Sequence, residues 1–328
     1  MSAPRTDPAD PAAAAENTEI AAYRPRRAGR SFHVPVRGLD YHLTAWGEPS
    51  MITPAKPALV MGHGMMDVGA SFQFVVDALA ALEGESRYIL APDWRGYGLT
   101  RVPPVDNYWF ADYLGDLDAL LAHPATGLPA EQPIDLLGHS LGGNIVMVYA
   151  GVRPARIRRL VNLEGFGMPQ TRPEMAPARL ARWLDDLRTP QMLMPYDSVG
   201  GVARRLMRNN PRLLPERAHW LAAQWAEPRA DGRWHIRGDP AHKRAGALLY
   251  RAEEVLACWK RITAPVLWAE GDLTDTSKWW GNLYPREEFE ARLAVVPQLE
   301  RHVLSPSGHM VHHDQPEALA GLLQAFLA

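Results

Sequence analysis

The chain has 328 residues, 47% hydrophobic and 22% charged, which suits a globular enzyme large enough for one α/β domain carrying an insertion. Its 35 Lys and Arg against 37 Asp and Glu leave a formal net charge of −2, so no global basic field invites nucleic acid or an anionic membrane. A single cysteine, Cys258, excludes an internal disulfide and fits a reducing compartment.

Residues 1–30 are rich in Ala and Pro, and charge interrupts the alanines of PAAAAENTEI where a signal peptide needs a continuous apolar region. They are expected to form a flexible tail on a cytoplasmic protein. No stretch reaches the length of a membrane span. Residues 31–46 read as two strands joined at Arg37-Gly38, and 57–64 as a buried strand ending in glycine. An amphipathic helix follows over 71–82, then a strand running into a polar loop over 87–96 and a helix over 107–122. A strand before Ser140, a helix after it, and a strand over 157–165 continue the alternation. Regular alternation of this kind predicts a mostly parallel sheet covered on both faces.

Between about Phe166 and Cys258 the alternation stops. Helical patterns at 178–189, 199–210 and 215–227 are broken by prolines and by PRADGRWHIRGDP, with no convincing strand. Strands resume at 262–271 and 299–309, before a last helix over 316–328. The expected organisation is a core over 31–165 and 261–328, with a helical cap over 166–260. Such a block is expected to lie over the C-terminal sheet edge, where open α/β sheets bind ligands.

The chemistry concentrates at Gly138-His139-Ser140-Leu141-Gly142. A serine between a strand and a helix sits on a very short turn, its backbone strained, and glycines two residues to either side relieve the crowding. This G-x-S-x-G pattern exposes a nucleophile at a helix N-terminus. A hydroxyl needs a base, and the base an orienting acid, in the chain order serine, acid, histidine. His309 lies between the last strand and the last helix, and Asp272 follows the strand before it. Glu164, ending the strand over 157–165, is the alternative acid, and Asp275 a more remote third.

Together MGHGMMD, APDWRGYGLT, GHSLGG, VLWAEGD and SGHMVHHDQPEAL resemble the α/β-hydrolase superfamily, over roughly residues 31–328. The resemblance implies an α/β fold with a mostly parallel eight-stranded sheet, helices on both faces and a helical cap inserted after strand 6. It implies Ser140 as nucleophile, His309 as general base, and an oxyanion hole from the backbone N–H groups of Leu141 and Met65. Met66, His139, Trp183 and Met310 are the candidate substrate-binding residues. His63 is expected to hold the oxyanion loop, and Asp93 and Arg95 to order the loop after the fourth strand.

No cofactor and no metal are expected. His309, His312 and His313 crowd together in sequence and precede Asp314, but no Cys or carboxylate completes a zinc-ligand pattern. His312 and His313 are expected to contact the last helix's start or solvent. The expected activity is that of a serine hydrolase cleaving a carboxylic ester of small to medium size through an acyl-enzyme. Its partner would be a small-molecule ester, with no nucleic acid or membrane, and the protein a monomer or homodimer. Serine rather than aspartate at 140 argues against a dehalogenase or epoxide hydrolase. A C–C bond hydrolase, lyase or perhydrolase on the same scaffold is the alternative enzyme, and a slow-turnover ligand receptor the alternative outside enzymes.

Overall fold

The computed structural model describes residues 22–328. Strands β1 (Arg30–Val36) and β2 (Leu39–Trp46) form a hairpin. It turns at Arg37 and Gly38, both with positive φ, 51° and 79°. The chain then alternates through β3 (Leu59–Gly62), α1 (Gln73–Glu83), β4 (Ile89–Pro92), α2 (Phe110–Ala122), β5 (Ile134–His139), α3 (Leu141–Val152) and β6 (Ile157–Leu163). After an excursion it returns as α7 (Ala252–Trp259), β9 (Val266–Gly271), α8 (Ser277–Trp280) and α9 (Arg286–Leu293). It ends with β10 (Leu299–Leu304), α10 (Val311–Asp314) and α11 (Pro316–Phe326).

Eight strands make one sheet in the order β1-β2-β4-β3-β5-β6-β9-β10. The β1–β2 and β2–β4 pairings are antiparallel and the others parallel. Successive strand side chains point to opposite faces, and here both faces are apolar. Val60, Leu136, Val266 and Trp268 pack on one side with Ile145, Trp259 and Phe289. Leu59, Met61, Leu137 and Leu267 pack on the other with Val75, Leu79, Leu319 and Leu323. That explains why β3 reads as a continuous apolar run rather than an alternating one.

The excursion after β6 contains α4 (Ala176–Arg188), α5 (Val199–Asn209) and α6 (Pro215–Trp225). Its own apolar cluster, including Val202, Leu206, Leu221 and Ala222, packs onto Phe74 of α1. Contrary to the all-helical expectation, it also holds a hairpin of β7 (Ala226–Pro228) and β8 (Trp234–Ile236), paired antiparallel. The turn includes Gly232 at φ 75°. Three-residue strands inside a polar stretch carry too little periodicity to be read as strands.

Most of the tail expected over 1–30 lies outside the described residues, but residues 22–30 are not free. Tyr23 packs edge-on against Phe74 and Trp220, and its hydroxyl donates to Asp77. Buried Arg27 donates to the Arg87 carbonyl at 2.7 Å. Aromatic burial and the hydrogen bonds of Tyr23 and Arg27 offset the entropy of ordering these residues.

Candidate active site

Ser140 stands between β5 and α3 with φ 53° and ψ −113°, a strained backbone for a residue with a Cβ. The flanking glycines are sterically required. A Cβ on Gly138 would lie 2.3 Å from the Gly142 carbonyl oxygen, and one on Gly142 would lie 2.1 Å from that of Gly62. The elbow is thus pressed against the end of β3, and Gly142 N–H donates to the His63 carbonyl at 3.1 Å.

His63 holds the loop after β3. Its Nε2 accepts from Trp94 N–H at 2.8 Å, so Nδ1 carries the proton and donates to the Gly64 carbonyl at 2.7 Å. This brings Gly64 against the nucleophile: a Cβ there would lie 3.2 Å from Ser140 Cβ. Met65, next in the loop, is exposed, and Met66 is half-buried with φ 56°. Leu141 is the first residue of α3, directly after Ser140. Asp93 orders the following loop by accepting from Gly69 N–H at 2.7 Å and Leu99 N–H at 2.8 Å, while Arg95 pairs with Asp116 at 2.6 Å.

The Ser140 hydroxyl and His309 Nε2 are 2.9 Å apart, and His309 Nδ1 lies 2.9 Å from Glu164 Oε2. The other Glu164 oxygen accepts from Gly271 N–H at 2.6 Å and from the Thr274 hydroxyl at 3.0 Å. Glu164 itself has φ 59°, and its long side chain reaches from the end of β6 across the end of β9.

Asp272, the expected acid, is elsewhere. Its oxygens accept from the Ser305 hydroxyl at 2.7 Å and Ser307 N–H at 2.8 Å. The side chain is exposed and fastens the β9 loop to the histidine loop, and these bonds, that of Ser307 first, hold its carboxyl below the usual range. Asp275 is spent on Ser277, accepting from its N–H at 3.0 Å. Once Glu164 fills the space against His309 Nδ1, a carboxylate at 272 has only the serines to bond.

Burial disfavours charge on both partners of the histidine pair. It pushes the Glu164 carboxyl up to about 8, against the lowering effect of Gly271 N–H and Thr274, and pulls His309 down to about 4.

His139 is not in a substrate-binding position. It is 1% exposed beneath the elbow, its Nε2–H donates to the His309 carbonyl at 2.8 Å, and burial pulls its pKa down to about 3. His312 and His313 are also buried, not solvent-facing, because the single turn of α10 tucks both rings under the loop carrying His309. Met310 caps that turn, its carbonyl accepting from His313 N–H at 2.8 Å, and is half-buried. Trp183 is half-buried on α4, its indole N–H enclosed with no hydrogen-bond partner among the described residues.

One neighbour escaped the sequence reading. Trp279, on α8, sets its ring edge-on to His309 with centroids 4.6 Å apart, and it is 45% exposed. The signal was an adjacent Trp pair in a short segment, where a buried-core explanation is hardest to sustain.

A second Ser–His–Asp chain exists: Ser31 Oγ to His42 Nε2 at 2.7 Å and His42 Nδ1 to Asp93 at 2.7 Å. It borders a cavity of about 340 Å³ whose lining includes Trp220 and Arg237 but neither Ser140 nor His309. Ser31 lies in a regular antiparallel ladder opposite Thr44, with no strained turn and no helix opening behind it. The two chains share residue types but not a nucleophile's setting.

A family model of the alpha/beta hydrolase fold matches residues 57–316. A serine hydrolase-like protein of Dictyostelium discoideum is 24% identical over 312 residues, 90% of this chain and 80% of its own. A 2-hydroxymuconate semialdehyde hydrolase of Pseudomonas sp. (strain CF600) is 33% identical over 117 residues, 34% of this chain and 37% of its own. Among solved structures, a thioesterase domain from the curacin biosynthetic pathway matches with a TM-score of 0.75 and 26% identity, over 91% of this chain and 99% of that one.

Proposed function

We propose that this chain, which belongs to the alpha/beta hydrolase fold family, is a serine hydrolase that cleaves a carboxylic ester of small to medium size through an acyl-enzyme. The observation that carries this reading is the continuous chain from the Ser140 hydroxyl through His309 to Glu164, with both links at 2.9 Å and the serine on a strained turn. Hydrolase relatives support hydrolysis in general.

In this mechanism the Ser140 oxygen attacks the substrate carbonyl while His309 Nε2 takes its proton. Glu164, as carboxylate, accepts from Nδ1–H, which keeps the lone pair on Nε2 and steadies the imidazolium that forms. The N–H groups of Leu141 and Met65 receive the developing oxyanion, each such donor being worth about 3 kcal/mol in the transition state. His309 returns the proton to the leaving alcohol. Water, deprotonated by the same nitrogen, then attacks the acyl-enzyme and releases the acid. Trp279, beside the imidazole, and the half-buried Met66 and Met310 are the side chains best placed to contact substrate.

The test is hydrolysis of p-nitrophenyl esters from short to long acyl chains by wild type and Ser140→Ala. Turnover falling by roughly 10⁴-fold or more in the variant is expected, and the chain-length profile then sizes the pocket. Wild-type turnover no higher than the variant's sinks the ester reading. A C–C bond hydrolase is the second reading, favoured by the Pseudomonas relative. Cleavage of a β-diketone without ester turnover would select it.

A further inference from the structure

Under the elbow, one nitrogen from His139, one from His312 and one carboxylate oxygen of Asp67 all lie within 4.8 Å of one another. The three come from the β3 loop, the end of β5 and α10, so nothing in their spacing brought them together beforehand. All are buried, at 2% exposure or less. His139 Nδ1 and both ring nitrogens of His312 have no hydrogen-bond partner among the described residues. Buried polar atoms left this way are costly unless something meets them.

The bonds that do exist orient the trio outward from its partners. His139 Nε2 faces a carbonyl, that of His309, at 2.8 Å, so Nε2 must carry the proton and Nδ1 the free lone pair. Asp67 is fixed by Val68 N–H at 2.8 Å and the Ser71 hydroxyl at 2.9 Å. Its Oδ2 lies 3.6 Å from His312 Nε2, too long for a hydrogen bond. Two ligands about 2.1 Å from one tetrahedral zinc stand about 3.4 Å apart. Metal-binding histidines typically donate their second N–H to a carbonyl or carboxylate, as His139 does here.

We propose that Asp67, His139 and His312 form a binding site for a divalent transition metal of the zinc type, and that its occupation slows hydrolysis. Two imidazoles and one carboxylate suit such an ion, with a fourth position left to water. The rings of His139 and His309 have centroids 4.9 Å apart. A dication there opposes the positive imidazolium that His309 becomes when it takes the Ser140 proton. This inhibitory part rests on the base role of His309; the binding does not.

Cobalt(II) reports the binding directly, because a tetrahedral nitrogen–oxygen site gives visible d–d absorption. The full chain, stripped with a chelator, is titrated with Co²⁺ both folded and during refolding from urea, since all three ligands are buried. The expected result is one Co²⁺ per chain with d–d bands that Zn²⁺ displaces. Affinity should be weakened tenfold or more in His312→Gln and in Asp67→Asn, each checked for folding by its thermal melt. Zinc should then lower kcat in wild type and have lost that effect in His312→Gln, each compared with its own metal-free rate. No stoichiometric binding, or binding unchanged in both variants, overturns the site. Zinc inhibition that persists in His312→Gln overturns its regulatory role. If no ester is turned over at all, the cobalt spectrum still decides the site, so the two failures are distinguishable.

Discussion

In the proposed mechanism the Glu164 carboxyl, which burial pushes up to about 8, must be ionised to orient His309. If it holds its proton, it donates to Nδ1 and the imidazole N–H moves to Nε2, the wrong tautomer to accept from Ser140. Activity is therefore expected to rise with pH as Glu164 ionises, read as kcat/KM on a p-nitrophenyl ester. Glu164→Gln keeps the shape but cannot accept the Nδ1 proton as an anion, and should cost roughly 10⁴-fold in kcat. Asp272→Asn, in contrast, should leave kcat within about tenfold; the reverse ranking would return the acid role to Asp272. The same residue sets a stability signature. Its folded pKa lies above the ordinary 4.5, so its stabilising contribution is full below that value and is lost as pH rises towards 8. The Tm advantage of Glu164→Gln over wild type should thus widen from about pH 5 to about pH 8, a trade of stability for function at a buried group. An equal Tm difference at both pH values would contradict the burial argument.

At the scale of elements, the elbow is a steric device made by two backbones. With the Gly62 carbonyl only 2.1 Å from where a Cβ on Gly142 would stand, Gly142→Ala must push α3 away from β3. A loss of about 2–4 kcal/mol by urea unfolding is expected, together with a fall in kcat, because the displaced helix carries Leu141 N–H with it. An Ala variant as stable and as active as wild type would show that the elbow can relax. Elements this regular were legible in advance. The helices over 73–83, 110–122 and 141–152 show their apolar spacing plainly, and β5 and β9 their apolar runs. The β7–β8 hairpin, α8 and α10 were not legible, since three or four residues hold less than one clear period of either pattern.

Across the whole molecule, the block after β6 is tied to the loop that carries His309. The Asp314 side chain, fully buried, accepts from Asn210 Nδ2 at 2.6 Å, Arg212 Nε at 2.7 Å and Gly308 N–H at 2.8 Å. Two of these donors belong to the segment between α5 and α6, and the third precedes His309. Arg212→Ala leaves a buried carboxylate short of its cation, and should cost about 1–3 kcal/mol in urea unfolding. It should also lower kcat/KM several-fold by loosening the histidine loop, whereas unchanged kinetics would mean that the block and the base move independently. Among the described residues no helix is long and apolar enough to cross a membrane.

What the sequence determined by itself was local: the strained serine turn, the alternating strands and helices, the glycines that crowding demands, and the histidine loop before the last helix. These follow from backbone sterics and side-chain period within a dozen residues, which any stretch of chain expresses on its own. The tertiary structure decided the rest. It set Glu164 rather than Asp272 against His309 Nδ1, 145 positions away in the chain, because the strand ends of β6 and β9 lie side by side only in the folded sheet. It also buried His312 and brought Asp67 and His139 around it, three residues that lie far apart in the chain. Both outcomes depend on which side chain reaches a shared space first, and that competition exists only once the sheet has formed.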